Sequence, residues 1–151
     1  MRRKDREITD RAEMELILQV APVCRLAMAC NSEPFVVPVC FGYKEGTIYI
    51  HSACEGEKIA ILQNNPRVCV EVDLTIGPIP DENPCAWEMG YKSVICSGTA
   101  VFLADNDEKK KGLDCILRHY GADPPPYTEQ SLVKVCVIRV DIEKMTGKKH
   151  G

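Results

Sequence analysis

The sequence has few of the patterns that settle a protein's class at once. No apolar run reaches the roughly 18 residues of a membrane-spanning helix, so no membrane segment is read. No G-x-G-x-x-G follows a strand-like segment, which argues against a doubly wound dinucleotide fold. The nine cysteines are Cys24, Cys30, Cys40, Cys54, Cys69, Cys85, Cys96, Cys115 and Cys136. None stands in C-x-x-C spacing and their number is odd, so neither a zinc site nor a disulfide framework is expected. The net charge is −3, which excludes the broad basic field of a nucleic-acid binder. Met1-Arg2-Arg3-Lys4 is basic but no apolar run follows it, so no secretory signal is read and the cytoplasm is the expected location. Tryptophan occurs once, at Trp87, and there are three histidines, His51, His119 and His150.

What remains is ordinary globular material. A chain of 151 residues fits one domain, and 45% hydrophobic residues suffice for a core. Most cysteines lie inside apolar runs such as Val68-Cys69-Val70 and read as small buried hydrophobes. Cys54 and Cys85 fall in loop-like segments and are the exceptions.

Local patterns divide the chain. Asp10 with Glu13 forms a capping box, with Thr9 as a competing cap. Met14, Ile17, Leu18 and Ala21 then repeat at helical spacing until Pro22 stops the helix. Val23–Ala29, Phe35–Tyr43 and Thr47–Ser52 read as an antiparallel meander. Pro38 inside the second strand places that position at an edge, a bulge or a ligand face. A short helix over 55–64 precedes a strand over 67–74. Residues 75–90, with three prolines, read as a long connection. A strand over 91–103 follows, then a helix capped by Asp105 and Glu108 with a stripe of Leu113, Ile116, Leu117 and Tyr120. Pro124-Pro125-Pro126 is an extended loop. The last strand covers 133–142, and the polar segment 144–151 is expected to fray. Six antiparallel strands with three helices give an α+β barrel.

The segment His51-Ser52-Ala53-Cys54-Glu55-Gly56-Glu57-Lys58 carries the chemistry. It runs from a strand end through a short loop into a helix start, where free N–H groups and a partial positive charge suit a phosphate. Ser52 offers a hydroxyl and Gly56 a close backbone approach. Lys58 opposes the helix dipole at a cost of about 0.3–1 kcal/mol, which a bound anion relieves. Set against this, a first-turn lysine is commonly just solvated. His51 reads either as a hydrogen-bonded histidine at a strand end or as a polar group of the site. Trp87 and Tyr91 read either as stacking walls or, for Trp87, as a hydrophobic anchor. His119 reads as structural.

The run His51–Lys58 resembles the HSA-x-EG-x-K pattern of the nitroimidazole-resistance branch of the pyridoxamine-phosphate-oxidase-like proteins. The segment from Pro34 to Asp73 resembles flavin split barrels. Met1–Ile8, Ala21–Ala27, Tyr91–Ile95 and Arg118-His119-Tyr120 are similar to the same branch, so the likeness spans nearly the whole chain. It implies a six-stranded antiparallel split barrel, assembled as a homodimer around FMN or the related flavin FAD. It further implies that Ser52 and Lys58 hold the phosphate and that Val37, Pro38 and Val39 pass the flavin ring. His51 would stand near the flavin edge, and Ser93 would complete the pocket from the strand facing the other subunit. In pyridoxamine-phosphate oxidases an arginine immediately precedes the phosphate-binding lysine, whereas Glu57 stands here, and Arg67 and Arg25 are the candidates to replace it. The implied activity is a flavin-dependent reductase that takes electrons from a nicotinamide donor and passes them to a small acceptor such as a nitroaromatic. The alternative is a flavin- or haem-binding module for storage or sensing, with His51 or His119 as iron ligand.

Overall fold

The computed structural model describes residues 3–151. In chain order its main elements are β1 (Glu7–Ile8), α1 (Arg11–Val20), β2 (Cys24–Cys30), β3 (Glu33–Val39), β4 (Phe41–Lys44), β5 (Thr47–Ser52) and α2 (Glu57–Asn64). Then come β6 (Arg67–Ile79), β7 (Glu88–Phe102), α3 (Asn106–His119), α4 (Glu129–Val133) and β8 (Cys136–His150). The strands form one antiparallel sheet of order β3-β2-β6-β7-β8-β5-β4, with β1 added on β8. The two ends of that order, β3 and β4, are joined through Cys40 alone, so the chain itself links the edges of the curled sheet. The architecture is thus the expected α+β split barrel with flanking helices, built from eight strands instead of six.

Alternation along the strands sorts the side chains. Leu26, Val70, Val72, Val94, Cys96, Ile48, Ile50, Ile138 and Val140 point inward and are buried. Met14, Ile17 and Leu18 of α1 join the same core, as their spacing predicts. Asp10 caps α1 by accepting the Ala12 N–H, and Asp105 caps α3 by accepting the Glu108 N–H. Two close approaches fix α3 against the sheet. A Cβ on Gly42 would stand 2.6 Å from the Cys115 carbonyl carbon, and one on Gly112 would stand 2.9 Å from Tyr49 and Val137.

Four expectations are corrected. The strand expected over 35–43 breaks at Cys40 into β3 and β4. Residues 75–90 are not one loop: β6 continues to Ile79 and β7 begins at Glu88, forming a projecting hairpin arm. The prolines are tolerated because the pairing shifts register between Thr75 and Gly77, where Gly77 adopts φ +140°. Val133 belongs to α4, which Thr128 caps, and not to the last strand. Finally, the polar tail is the second half of β8, paired with both β7 and β1. A backbone ladder needs no apolar side chains, and here the alternation still places Gly147 inward against Ile8 and Met14. On that same face Lys149 meets Glu13 of α1 at 2.9 Å, while on the opposite face His150 contacts Glu88 and Lys148 lies over the Tyr91 ring.

Candidate functional site

The strand–loop–helix segment forms as read. β5 ends at Ser52, which lies opposite Cys136 at the start of β8. Ser52 shares the inward parity of Ile48 and Ile50 and is half-buried. Gly56 is the N-cap of α2, at φ +116°, with nothing within 4 Å of where a Cβ would stand. No side chain caps this helix end. The first intrahelical bond runs from the Ala60 N–H to the Gly56 carbonyl at 3.1 Å. The N–H groups of Glu57, Lys58 and Ile59 precede it and are the ones a helix cannot satisfy internally.

Lys58 is half-buried in the first turn, while Ile59 and Leu62 anchor α2 in the core. Burial first, and then Cys54, pushes the Cys136 thiol above its ordinary value, while Lys109 and Lys58 act in the opposite sense. Lys58, Cys54, Cys136 and Ser52 therefore share one neighbourhood. Cys54 is exposed there, 3.8 Å from the Val133 carbonyl. Cys136 was not readable as a neighbour of this segment, because its proximity depends on the β5–β8 register.

His51 lies on the opposite face of β5 from Ser52, the outer face that α3 covers at Tyr49, and is exposed. Its exposure decides against a buried, structurally bonded histidine. His119 behaves as read: it is half-buried, its Nε2 lies 2.7 Å from the Ala21 carbonyl, and it packs on Phe41 with ring centroids 4.4 Å apart. That contact engages Nε2, as expected of a structural histidine.

Other residues stand apart. Val37, Pro38 and Val39 are on β3, the free edge of the sheet that Pro38 called for, with Pro38 opposite Arg25. Ser93 pairs with Lys148 and Tyr91 with His150, at the far end of β8 from Cys136. A dozen residues separate Cys136 from Lys148, roughly 40 Å of strand contour. Trp87 sits at the tip of the arm, 56% exposed, its indole N–H donating to the Asp81 carbonyl at 2.8 Å. One chain does not bring Trp87, Tyr91 and Ser93 to Ser52 and Lys58. Nor do Arg25 and Arg67 replace the family arginine. Arg25 is held by Glu71 and Asp73, and Arg67 by Glu143 and Thr99.

A cleft of about 660 Å³ lies elsewhere, between α3 and the β4–β5 hairpin, and of the candidate site residues only His119 lines it. A site that one chain leaves half-built forms no closed cavity in that chain.

The family model described as pyridoxamine 5'-phosphate oxidase matches residues 10–149. The chain belongs to this family. Among solved structures it is similar to a candidate 5-nitroimidazole antibiotic resistance protein from Bacteroides thetaiotaomicron. The identity is 36% over 94% of this chain and 85% of that one, with a TM-score of 0.83. It also resembles a FAD-binding protein of Mesorhizobium loti, at 26% identity over 97% of this chain and 98% of that one, with a TM-score of 0.70. A FAD and haem binding protein of Mycobacterium smegmatis shares the fold at 20% identity, with a TM-score of 0.88 over 97% of this chain and 74% of that one. No curated protein matches the chain. The resemblance to the nitroimidazole-resistance branch thus agrees with the family match and with the 36% identical structure.

Proposed function

We propose that this member of the pyridoxamine 5'-phosphate oxidase family is a flavin-dependent reductase of a small acceptor, a nitroaromatic being the first class to test. The observation that carries the reading is the open N-terminus of α2. Three N–H groups and a glycine N-cap with free space beside it stand at a helix end that no side chain caps, with half-buried Lys58 in its first turn and half-buried Ser52 at the end of the strand before it. This donor set fits a phosphate monoester. FMN is the flavin preferred, and FAD, printed for the Mesorhizobium loti relative, is the alternative.

Ser52 would donate its hydroxyl to the phosphate and Lys58 would supply the charge. Glu57 at the first helical position favours the helix dipole but repels the ligand, so phosphate binding is expected to be weaker than with an arginine there. Val37, Pro38 and Val39 would border the ring, and His51, exposed beside Ser52, is the candidate catalytic residue. The bound flavin would supply the redox chemistry, relaying electrons from a nicotinamide donor to the acceptor.

The reading requires a homodimer. Trp87, Tyr91 and Ser93 reach a phosphate site only if it belongs to a second copy. The outer sheet face offers a matching surface. Val36, Ala27, Cys69 and Ser97 form an uncharged row across four strands, with Ile95 beside it. Val36 and Ile95 are 62% and 46% exposed. The ion pairs of Arg25 with Glu71 and Arg67 with Glu143 flank this row, the pattern of an apolar interface centre with a polar rim. A two-fold axis through it would create two equivalent sites. We place the protein in the cytoplasm, and no helix of the described residues is long and apolar enough to cross a membrane.

A visible spectrum of the purified protein tests the cofactor, with a flavin band expected. A haem Soret band would favour the storage or sensing module instead. Anaerobic reduction of the flavin by a nicotinamide, then reoxidation by added nitroaromatic, tests the activity. A flavin that stays oxidised under both NADH and NADPH would refute the nicotinamide-linked reductase.

A further inference from the structure

The cleft between α3 and the β4–β5 hairpin is not used by the proposed flavin site: Ser52, Gly56 and Lys58 do not line it. We propose that it binds a small aromatic anion, a ring bearing a carboxylate or a phosphate monoester. The inference does not rest on the flavin reading.

Three observations converge. The cleft, about 660 Å³, falls in the size range of small-molecule sites, roughly 300–1,000 Å³. Its walls include two aromatic residues, Tyr43, buried, and Tyr49, half-buried. Its cations come from two elements: Lys44 from the end of β4, Lys111 and Arg118 from α3. Lys111 and Arg118 are seven residues apart, two turns on the same helix face.

Arg118 is the informative residue. Arg3, Arg6, Arg11, Arg25, Arg67 and Arg139 each hold a carboxylate in an ion pair. Among the described residues, Arg118 is the one arginine without such a partner, and Lys44 and Lys111 have none either. The nearest acidic neighbour on its helix face, Asp114, is engaged by the Tyr127 hydroxyl at 2.8 Å. Against Glu45 and Asp114 the lining keeps a surplus of positive charge. A basic last turn complements the α3 dipole and would account for Arg118 alone. It does not account for Lys44, which arrives from another element, or for Lys111, two turns earlier. Lys44 and Arg118 line the cleft together with Cys115; burial raises the Cys115 thiol above its ordinary value, and both cations oppose that rise. A guanidinium fork donates two parallel hydrogen bonds to a carboxylate or phosphate, and two flanking ammonium groups complete an anion site.

The test is a ligand titration of flavin-free protein followed by amide NMR. Phenyl phosphate, benzoate and inorganic phosphate are the probes. Saturable shifts are expected around Tyr43, Tyr49 and Arg118, with phenyl phosphate or benzoate binding more tightly than inorganic phosphate. The comparison of the first two identifies the preferred anion. Arg118→Gln should weaken binding by about tenfold or more, the loss of one charge-assisted bidentate contact. Lys111→Gln should weaken it less, and Arg67→Gln, remote from the cleft, should leave it unchanged. Arg118 and Lys111 are exposed, so both variants should melt with the parent. Shifts confined to the start of α2, equal affinity for inorganic and phenyl phosphate, or an Arg118→Gln variant that binds like the parent would each overturn the proposal.

Discussion

Lys58→Ala separates two effects that ordinary destabilisation would merge. In the flavin-free protein Lys58 sits in the first turn of α2, whose N-terminus no side chain caps. Its charge there opposes the helix dipole, so its removal should stabilise the apo protein by about 0.3–1 kcal/mol at low salt. The core should not notice, because Ile59 and Leu62 carry the packing of this helix. With FMN present the sign reverses. A charge-assisted hydrogen bond to the phosphate is worth about 1.5–3 kcal/mol, a loss of roughly 10- to 150-fold in affinity. Riboflavin has no phosphate and should lose little. Flavin fluorescence titrations with FMN and riboflavin, together with melts of the apo protein at low and high salt, measure all three quantities. The expected signature is a higher apo melting temperature that salt abolishes, a large loss for FMN and almost none for riboflavin. Equal losses for the two flavins would remove Lys58 from the phosphate site. A lowered apo melting temperature would show that its contacts in the fold outweigh the dipole term.

Three further outcomes follow from other parts of the molecule. His51→Ala should keep flavin bound and change stability by no more than about 0.5 kcal/mol, since the side chain is exposed, while altering reduction or acceptor turnover; a clearly lowered melting temperature with unaltered turnover would reverse its assignment. Ile95→Glu should dissociate the dimer in sedimentation and lower flavin affinity together, while far-ultraviolet circular dichroism stays native; loss of the dimer with full flavin affinity would refute the shared site. Burial pushes the thiols of Cys24 and Cys96 up to about 12, and because the folded values lie above the unfolded value of about 8.5, this stability is complete below that pH and is lost as the pH rises toward 12, at about 1.4 kcal/mol per thiol per pH unit; urea melts at rising pH should show that slope, and a flat profile above pH 9 would refute the burial of these thiols.

Features of the fold that depend on local chemistry were legible in the sequence. The caps at Asp10 and Asp105, the helical spacing of Met14, Ile17 and Leu18, and the placement of Pro38 on an edge strand each rest on a few neighbouring residues. What was not legible depends on strand pairing. Lys144–His150 is polar by composition, yet its strand is held by β7 and β1, by the ion pair of Lys149 with Glu13 and by the contact of His150 with Glu88. Residues 75–79 and 88–90 contain turn-forming prolines and glycines, yet they pair across the arm because Gly77 absorbs a register shift. The partners of Lys144–His150 lie far away in the chain, whereas those of the arm lie within the same short segment, where the prolines and glycines hide the pairing.

The same distinction governs the candidate site. Ser52, Gly56 and Lys58 are contiguous, so one segment of sequence displays the phosphate-binding half, and the chain folds that half by itself. The other half, Trp87, Tyr91 and Ser93, lies a dozen residues away along β8, on strands that run the wrong distance to return within one molecule. The same sheet that puts those residues out of reach presents an outer face, from β3 across to β7, with Val36 and Ile95 exposed. One feature of topology thus both divides the site and supplies the surface through which a second copy would restore it. A monomeric variant that keeps its fold would therefore be expected to lose flavin ring contacts and keep phosphate contacts, and so to bind FMN and riboflavin both more weakly while preserving the ratio between them.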